Sequence, residues 1–275
     1  MGEAELGGIE VGDGHPVAII GTLNLSPESF YAGSVVRGPA QAVKQAKRML
    51  RQGASIIDVG AMSTAPNVEP ISVGLEGKRL LPVIKALVKE TNAPISVDTQ
   101  RAAIAEAALE AGAKIINDVS GLKFDPKMAN VVADLKCSVI LMAARKKPGD
   151  ARKIGEVCSV LQDSLQICKR HSIDMRKVVI DPGIGFGKGA GWDVHILANL
   201  RKLKGLGRPI CVAVSRKAFI GKILGLKDPA DRLIGSLAAT AIAVRNGADV
   251  VRTHDVQETA QVVRVAEVMR HAGKG

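Results

Sequence analysis

Aromatic residues are nearly missing: four Phe, one Trp and one Tyr in 275 residues. A core without rings must be built from Val, Ile, Leu and Ala, as the interiors of α/β barrels are. Cysteine is scarce too, and Cys137, Cys158, Cys168 and Cys211 share no CxxC spacing. That disfavours a sulfur-ligated metal, and the apolar setting of Cys137 and Cys211 predicts buried free thiols rather than disulfides. The longest apolar runs, such as 237–244, fall far short of the roughly 20 residues that a membrane helix needs. The start, 1–14, is acidic and glycine-rich, unlike a secretion signal, and reads as a flexible leader. The expected setting is therefore cytoplasmic, with no membrane partner. No histidine pair has metal-ligand spacing, and no GxSxG or Cys/His arrangement offers a covalent nucleophile. Low-complexity linkers are missing as well, so 1–275 reads as one domain.

What the chain does contain is apolar bulk, 47% of its residues, and a net charge of +11. A positive balance implies an acidic partner. The cations are spread through helical stretches without RNP-like aromatics or a helix-turn-helix signature. Nucleic acid is therefore not expected, and a phosphorylated small molecule explains the field equally well. Short branched runs at 17–22, 55–59, 94–97, 114–117, 138–142, 178–180, 210–214 and 249–251 read as buried strands. Helical patterns fall between them at 39–52, 73–90, 100–110, 126–135, 154–171, 193–203 and 230–246, with a last one at 257–270. Three helices hand over to a strand through Gly-Ala (Gly53-Ala54, Gly112-Ala113, Gly247-Ala248), where glycine ends the helix and a small residue packs close to the sheet. The alternation predicts an α/β chain folded as a (β/α)8 TIM barrel. The rival, a doubly wound open sheet, would carry GxGxxG after its first strand, where Thr22-Leu23-Asn24-Leu25-Ser26-Pro27 stands instead.

The most informative stretch is 178–188. Val178, Val179 and Ile180 form a strand that ends on Asp181, and Pro182, Gly183, Gly185 and Gly187 forbid its continuation. A carboxylate at the end of a buried strand, followed by a glycine loop, is where α/β enzymes keep their ligands. In a barrel all strand ends meet at one rim. That rim would gather Asn24, Asp58, Asp98, Asn117 with Asp118, Met142, Asp181, Ser215-Arg216-Lys217, Arg252 and His254. Carboxylates beside amides suit a heterocycle with both amino and lactam edges. Lys217, Arg252 and His254 suit a polyanionic group held by charge-assisted bonds.

Seven motifs resemble those of dihydropteroate synthases: Asn24 to Phe30; Asp58-Val59-Gly60 with Ser63-Thr64; Ser96 to Thr99; Ile116 to Gly121; Ile180 to Lys188; Ser215-Arg216-Lys217; and Arg252 to Val256. The resemblance implies condensation of 6-hydroxymethyl-7,8-dihydropterin diphosphate with an arylamine, releasing diphosphate. It implies that Asp181 and Asn117 grip the aminopyrimidine edge, Lys217 the lactam and a ring nitrogen, and that Asp98 lies near the reacting methylene. Met142 and Phe186 would line the pterin, and Arg252 would stack on it. Asn24, Thr64, Arg252 and His254 would bind the diphosphate, with Mg²⁺ on Asn24, while Thr64, Pro66, Phe186 and Lys217 would meet the second substrate. Asp98, Lys217 and Asp181 are the catalytic candidates. A homodimer through the last helices is implied as well. The physics agrees: loss of diphosphate leaves a cation on the methylene, which needs negative charge beside it and positive charge at the leaving group.

Some positions depart from that pattern. Ala65 stands where the family has Arg, Ala218 where it has Ser, and Ala143-Ala144-Arg145 where it has His-Met. An alanine cannot replace the fork of an arginine on an anion. The changes cluster where the arylamine would lie, so a ribosyl-phosphate arylamine, as used for methanopterin-type cofactors, is an alternative acceptor to 4-aminobenzoate. Its phosphate would suit Arg145, Lys146 and Lys147. Two rival readings are a methyltetrahydrofolate-type corrinoid methyltransferase, against which the diphosphate clamp argues, and a pterin-binding protein without catalysis. Trp192 reads as a packing residue, and His15, His171 and His195 as solvated or capping.

Overall fold

Branched side chains on both faces extend eight segments, which pair in parallel around a nearly closed barrel. The computed structural model describes residues 2–26, 33, 35–62 and 69–272. The chain opens with a hairpin of β1 (Glu3–Leu6) and β2 (Ile9–Gly12), followed by β3 (Ala18–Asn24), α1 (Gly38–Arg51), β4 (Ile56–Gly60), α2 (Val73–Glu90), β5 (Ile95–Asp98) and α3 (Ala102–Glu110). Next come β6 (Ile115–Asp118), α4 (Met128–Asp134), β7 (Ser138–Met142), α5 (Ile154–Arg170), β8 (Val178–Asp181) and α6 (Ala190–Ala198). The last elements are β9 (Cys211–Val212), α7 (Ala218–Leu224), α8 (Leu233–Arg245), β10 (Val250–Thr253) and α9 (Val256–Ala272). The sheet runs β8-β7-β6-β5-β4-β3-β10-β9, and a parallel bridge between Ile180 and Ile210 joins its two edges.

The period of two along each strand sorts residues into two cores. Outward residues such as Ile19, Ile57, Ile116, Val139 and Ile180 pack with the helices. Inward residues Ile20, Ile56, Ile115, Ile140, Val179 and Val250 form a separate cluster inside the barrel. Two residues further along the same faces stand Thr22, Asp58, Asn117, Met142, Asp181 and Arg252. An apolar layer thus carries a polar one directly above it.

The expectation of a flexible leader over 1–14 is corrected by the hairpin. Ala4, Leu6 and Val11 are buried and belong to the interior cluster, so β1 and β2 close the barrel floor. Ser138 Oγ donates to Glu5 O (2.8 Å) and accepts from Gly7 N (3.0 Å). Lys204 reaches both Asp249 (2.7 Å) and Asp13 (3.4 Å), which fastens the hairpin to the chain beneath β9 and β10.

Other boundaries move for local reasons. The expected helix 193–203 divides into α6 and a 3₁₀ segment, Leu200–Leu206, in which leucines at 200, 203 and 206 match a three-residue turn. After β9 the structure adds α7, a helix missing from the expected set. The helix expected at 230–246 is a 3₁₀ turn (Pro229–Arg232) leading into α8. The Gly-Ala handovers hold: Gly53, Gly112 and Gly247 take φ of +107°, +105° and +106°, a region that only glycine enters cheaply. The four cysteines are free, and Cys137, Cys168 and Cys211 are buried. No helix among the described residues is long and apolar enough to cross a membrane.

Candidate active site

Arg252, the last inward residue of β10 within the barrel, lies across its mouth. Its Nε donates to Asp58 Oδ2 (2.7 Å) and its Nη2 to Asp98 Oδ2 (3.1 Å). The other oxygen of Asp58 accepts from Ser96 Oγ at 2.5 Å. Asp98 Oδ1 is buried and has no partner among the described residues. Burial pushes the Asp98 carboxyl up to about 7 against the pull of Arg252, with Asp58 adding to the rise. The same two carboxylates hold Arg252 firmly as a cation. Glu76, fully buried in the first turn of α2, accepts from Thr99 Oγ1 (2.8 Å) and Arg101 Nη1 (2.7 Å), anchoring the chain just after Asp98.

Across the mouth, Asp181 ends β8 beside Met142 in register, and Asp98 pairs in register with Asn117. Asp181 Oδ1 accepts from Gly183 N (2.6 Å), and burial raises its carboxyl, opposed by that bond and by Lys217. Lys217 crosses the glycine loop, donates to Ile184 O (2.7 Å) and stands 4.1 Å over the Phe186 ring. Burial lowers its ammonium to about 8. The crossing requires Gly185: at its φ of +81° a Cβ would meet Lys217 Cδ at 2.2 Å. Asp193 fixes the same loop by accepting from Gly185 N (2.8 Å).

His254, just past β10, links the end of β3 to the turn after β9. Its Nε2 faces the Asn24 amide nitrogen (3.4 Å) and its Nδ1 the Ser215 hydroxyl (2.9 Å). Burial, together with Arg252, Arg216 and Lys217, pushes its pKa down to about 3. The imidazole is therefore held neutral, since burial, two guanidiniums and an ammonium all oppose a charge on it. With the Asn24 amide donating to Nε2, the remaining proton sits on Nδ1 and points at Ser215. Arg216 turns away from the mouth. It grips Asp255 through Nε (2.9 Å) and Nη2 (2.8 Å) and donates to the carbonyls of Pro229 and Ala230. These bonds hold it at φ +57°, a conformation that costs a non-glycine residue about 1 kcal/mol.

The structure thus brings Asn24, Asp58, Asp98, Asn117, Met142, Asp181, Phe186, Lys217, Arg252 and His254 to one end of the barrel. Asp118 serves the fold instead, accepting from Ser120 N and Leu122 N. Thr64, Ala65 and Pro66, and the part of the first motif at 27–30, lie outside the described residues. His171 bonds Asn130 (2.8 Å), and Trp192 packs edge-on against His195. Ser96 and Lys188 carry no role in the sequence reading. Ser96 was findable, because it is the inward neighbour two positions before Asp98.

The sequence matches the pterin binding enzyme family over residues 20–254. It is 40% identical over 258 residues to the dihydropteroate synthase of Synechocystis sp., covering 91% of this chain and 89% of that one. The chain belongs to the dihydropteroate synthase family. Solved members share its shape. The Xanthomonas albilineans synthase, crystallised with 4-aminobenzoic acid, superposes with a TM-score of 0.88 at 36% identity over 98% of both chains. The Coxiella burnetii synthase, in complex with pteroic acid, gives 0.88 at 34% over 98% of this chain and 99% of that one. The family match ends on His254 and begins at Ile20, so the floor hairpin lies outside it.

Proposed function

We propose that this chain is a dihydropteroate synthase that joins 6-hydroxymethyl-7,8-dihydropterin diphosphate to 4-aminobenzoate and releases diphosphate. The observation that carries the reading is the meeting of Asp98, Asn117, Asp181 and Lys217 at one barrel mouth, in a chain 40% and 38% identical to two dihydropteroate synthases. Asp181 and Asn117 accept from and donate to the aminopyrimidine edge, and Lys217 donates to the lactam oxygen. As the C–O bond to diphosphate breaks, positive charge grows on the pterin methylene, and Asp98, whose Oδ1 has no partner among the described residues, would offset it. The amine is already nucleophilic, so its lone pair closes the C–N bond once positioning is right, and the proton it sheds passes to the departing diphosphate or to solvent.

Arg252 alone is a weak clamp for diphosphate, being shared by Asp58 and Asp98, and His254 brings no charge. A Mg²⁺ ion fits that deficit. Among the described residues no cluster of His, Cys, Asp or Glu could hold a metal by itself, while Asn24 offers an amide oxygen. Mg²⁺ typically keeps its waters and takes one or two protein oxygens plus substrate phosphates. On Asn24 it would neutralise the leaving diphosphate.

Ala218, exposed at the start of α7, favours one alternative acceptor, a ribosyl-phosphate arylamine. Release of diphosphate from the pterin substrate with Mg²⁺ and each arylamine tests both. Turnover with 4-aminobenzoate is expected; turnover only with the ribosyl form moves the acceptor, and release with neither discards the synthase reading. A homodimer is part of the proposal. Between α8 and α9 an open apolar groove of about 830 Å³ is lined by Ile234, Leu237, Ile242, Val265 and Met269, and Ile234 is 81% exposed.

A further inference from the structure

A second buried lysine lies behind the mouth. Lys188 is 3% exposed, yet its ammonium has no hydrogen-bond partner among the described residues. An ammonium out of water without such bonds is tolerated only where other charges compensate it. Lys188 Nζ lies 3.3 Å from where a Cβ on Gly183 would be, a point that Met142 Sδ also approaches to 3.3 Å. Gly183 is the residue whose N–H holds Asp181. The ammonium is therefore lodged behind the Asp-Pro-Gly turn, against the pterin-facing strand ends.

Three carboxylates face Lys188: Asp193 from α6, Asp181 from β8 and Asp150 from the turn after β7. Asp193 is occupied by Gly185 N, and Asp150 by the N–H groups of Arg145, Lys146 and Lys147. Asp181 keeps one backbone bond. The cations facing Asp181 are Lys217, Lys188 and Arg252, and the Cys211 thiol, kept protonated by burial, approaches from β9. Lys217 is engaged by Ile184 O and Phe186, and Arg252 by Asp58 and Asp98. Lys188 is the member of this set with no engagement of its own among the described residues.

We propose that Lys188 is a positioning residue for pterin recognition: its ammonium holds Asp181 as the carboxylate that two N–H groups of the aminopyrimidine require. The inference rests on the reading of Asp181 as the acceptor of those groups. Burial drives the Asp181 carboxyl up, and Lys188 is one of the charges that oppose it. Without that charge Asp181 keeps its proton to higher pH and presents an O–H where the ligand presents N–H.

The test is calorimetric titration with 6-hydroxymethylpterin from about pH 5 to about pH 9, on the unsubstituted protein, Lys188→Met and Lys188→Arg, because one unit of pKa is about tenfold in affinity on the acid side. Lys188→Met removes an ammonium that makes no hydrogen bond among the described residues, at similar volume, and Asp181 can take up a proton in its place, so the variant is expected to fold with at most a modestly lowered melting point. The expected result is an acid limb moved to higher pH in Lys188→Met, with affinity restored at the alkaline end, and an unmoved limb in Lys188→Arg. Coincident limbs for all three proteins, or a uniform loss at every pH, overturn the role of Lys188 while leaving the synthase reading intact. Should Lys188→Met not fold, Lys188→Gln takes its place with the same outcomes. No binding by the unsubstituted protein at any pH overturns the functional reading, and this inference with it.

Discussion

One guanidinium serves two carboxylates at the mouth, and among the described residues Asp98 is the one with an oxygen left over. Its carboxyl titrates near 7, above the ordinary range. The folded state therefore binds that proton more tightly than the unfolded chain. The resulting stability is fully present below the ordinary carboxylate range and is lost as pH rises through about 7. Activity runs the other way, since only the ionised form faces the developing cation. The synthase rate is expected to fall as pH drops below about 7, and Asp98→Asn is expected to be slow with that limb gone; a pH–rate profile of both checks it. Arg252→Met leaves the fully buried Asp58 without its cation, so a loss of about 3 kcal/mol is expected in urea unfolding. Gly185→Ala drives a methyl group into Lys217 at φ +81°, with a backbone cost of about 1–2 kcal/mol. Its signature is weaker pterin binding together with a melting point lowered by that cost, measured by titration and melting.

At the scale of elements, the strands were legible because apolar residues on both faces leave few other readings. Six of their ends were set one or two residues early, while that of β7 was right and that of β9 was set two residues late. Asp98, Asp118, Asp181 and Thr253 belong to the strands, and polar letters look like loop when the barrel mouth that wants them is not yet in view. The same letters marked the site, so Asp98, Asn117, Asp181 and Lys217 could be named in advance. The pairing of Arg252 with Asp58 could not, because 194 residues separate them and sequence does not say which acid a guanidinium crosses to. The hairpin was misjudged on composition although Glu3-Ala4-Glu5-Leu6 alternates as a strand does. Leu6→Ala removes a fully buried side chain from the floor, and about 2–5 kcal/mol of stability should go with it, read as a lowered midpoint in denaturant.

At the scale of the whole molecule, the charge of +11 and the groove on α8 and α9 look outward. Val265 and Met269 are 61% and 62% exposed on one side of that groove, more apolar surface than a lone copy would ordinarily leave to water. Light scattering is expected to give a dimer, and Ile234→Glu a monomer that keeps its turnover; a monomer before substitution would remove the dimer from the proposal. The hairpin has a consequence at this scale too. With the lower end stoppered by Ala4, Leu6 and Val11, a heterocycle seated deep among the strand ends has a single doorway. A partner that settles above it would then have to arrive second, a consequence of the floor rather than of the residues that do the chemistry.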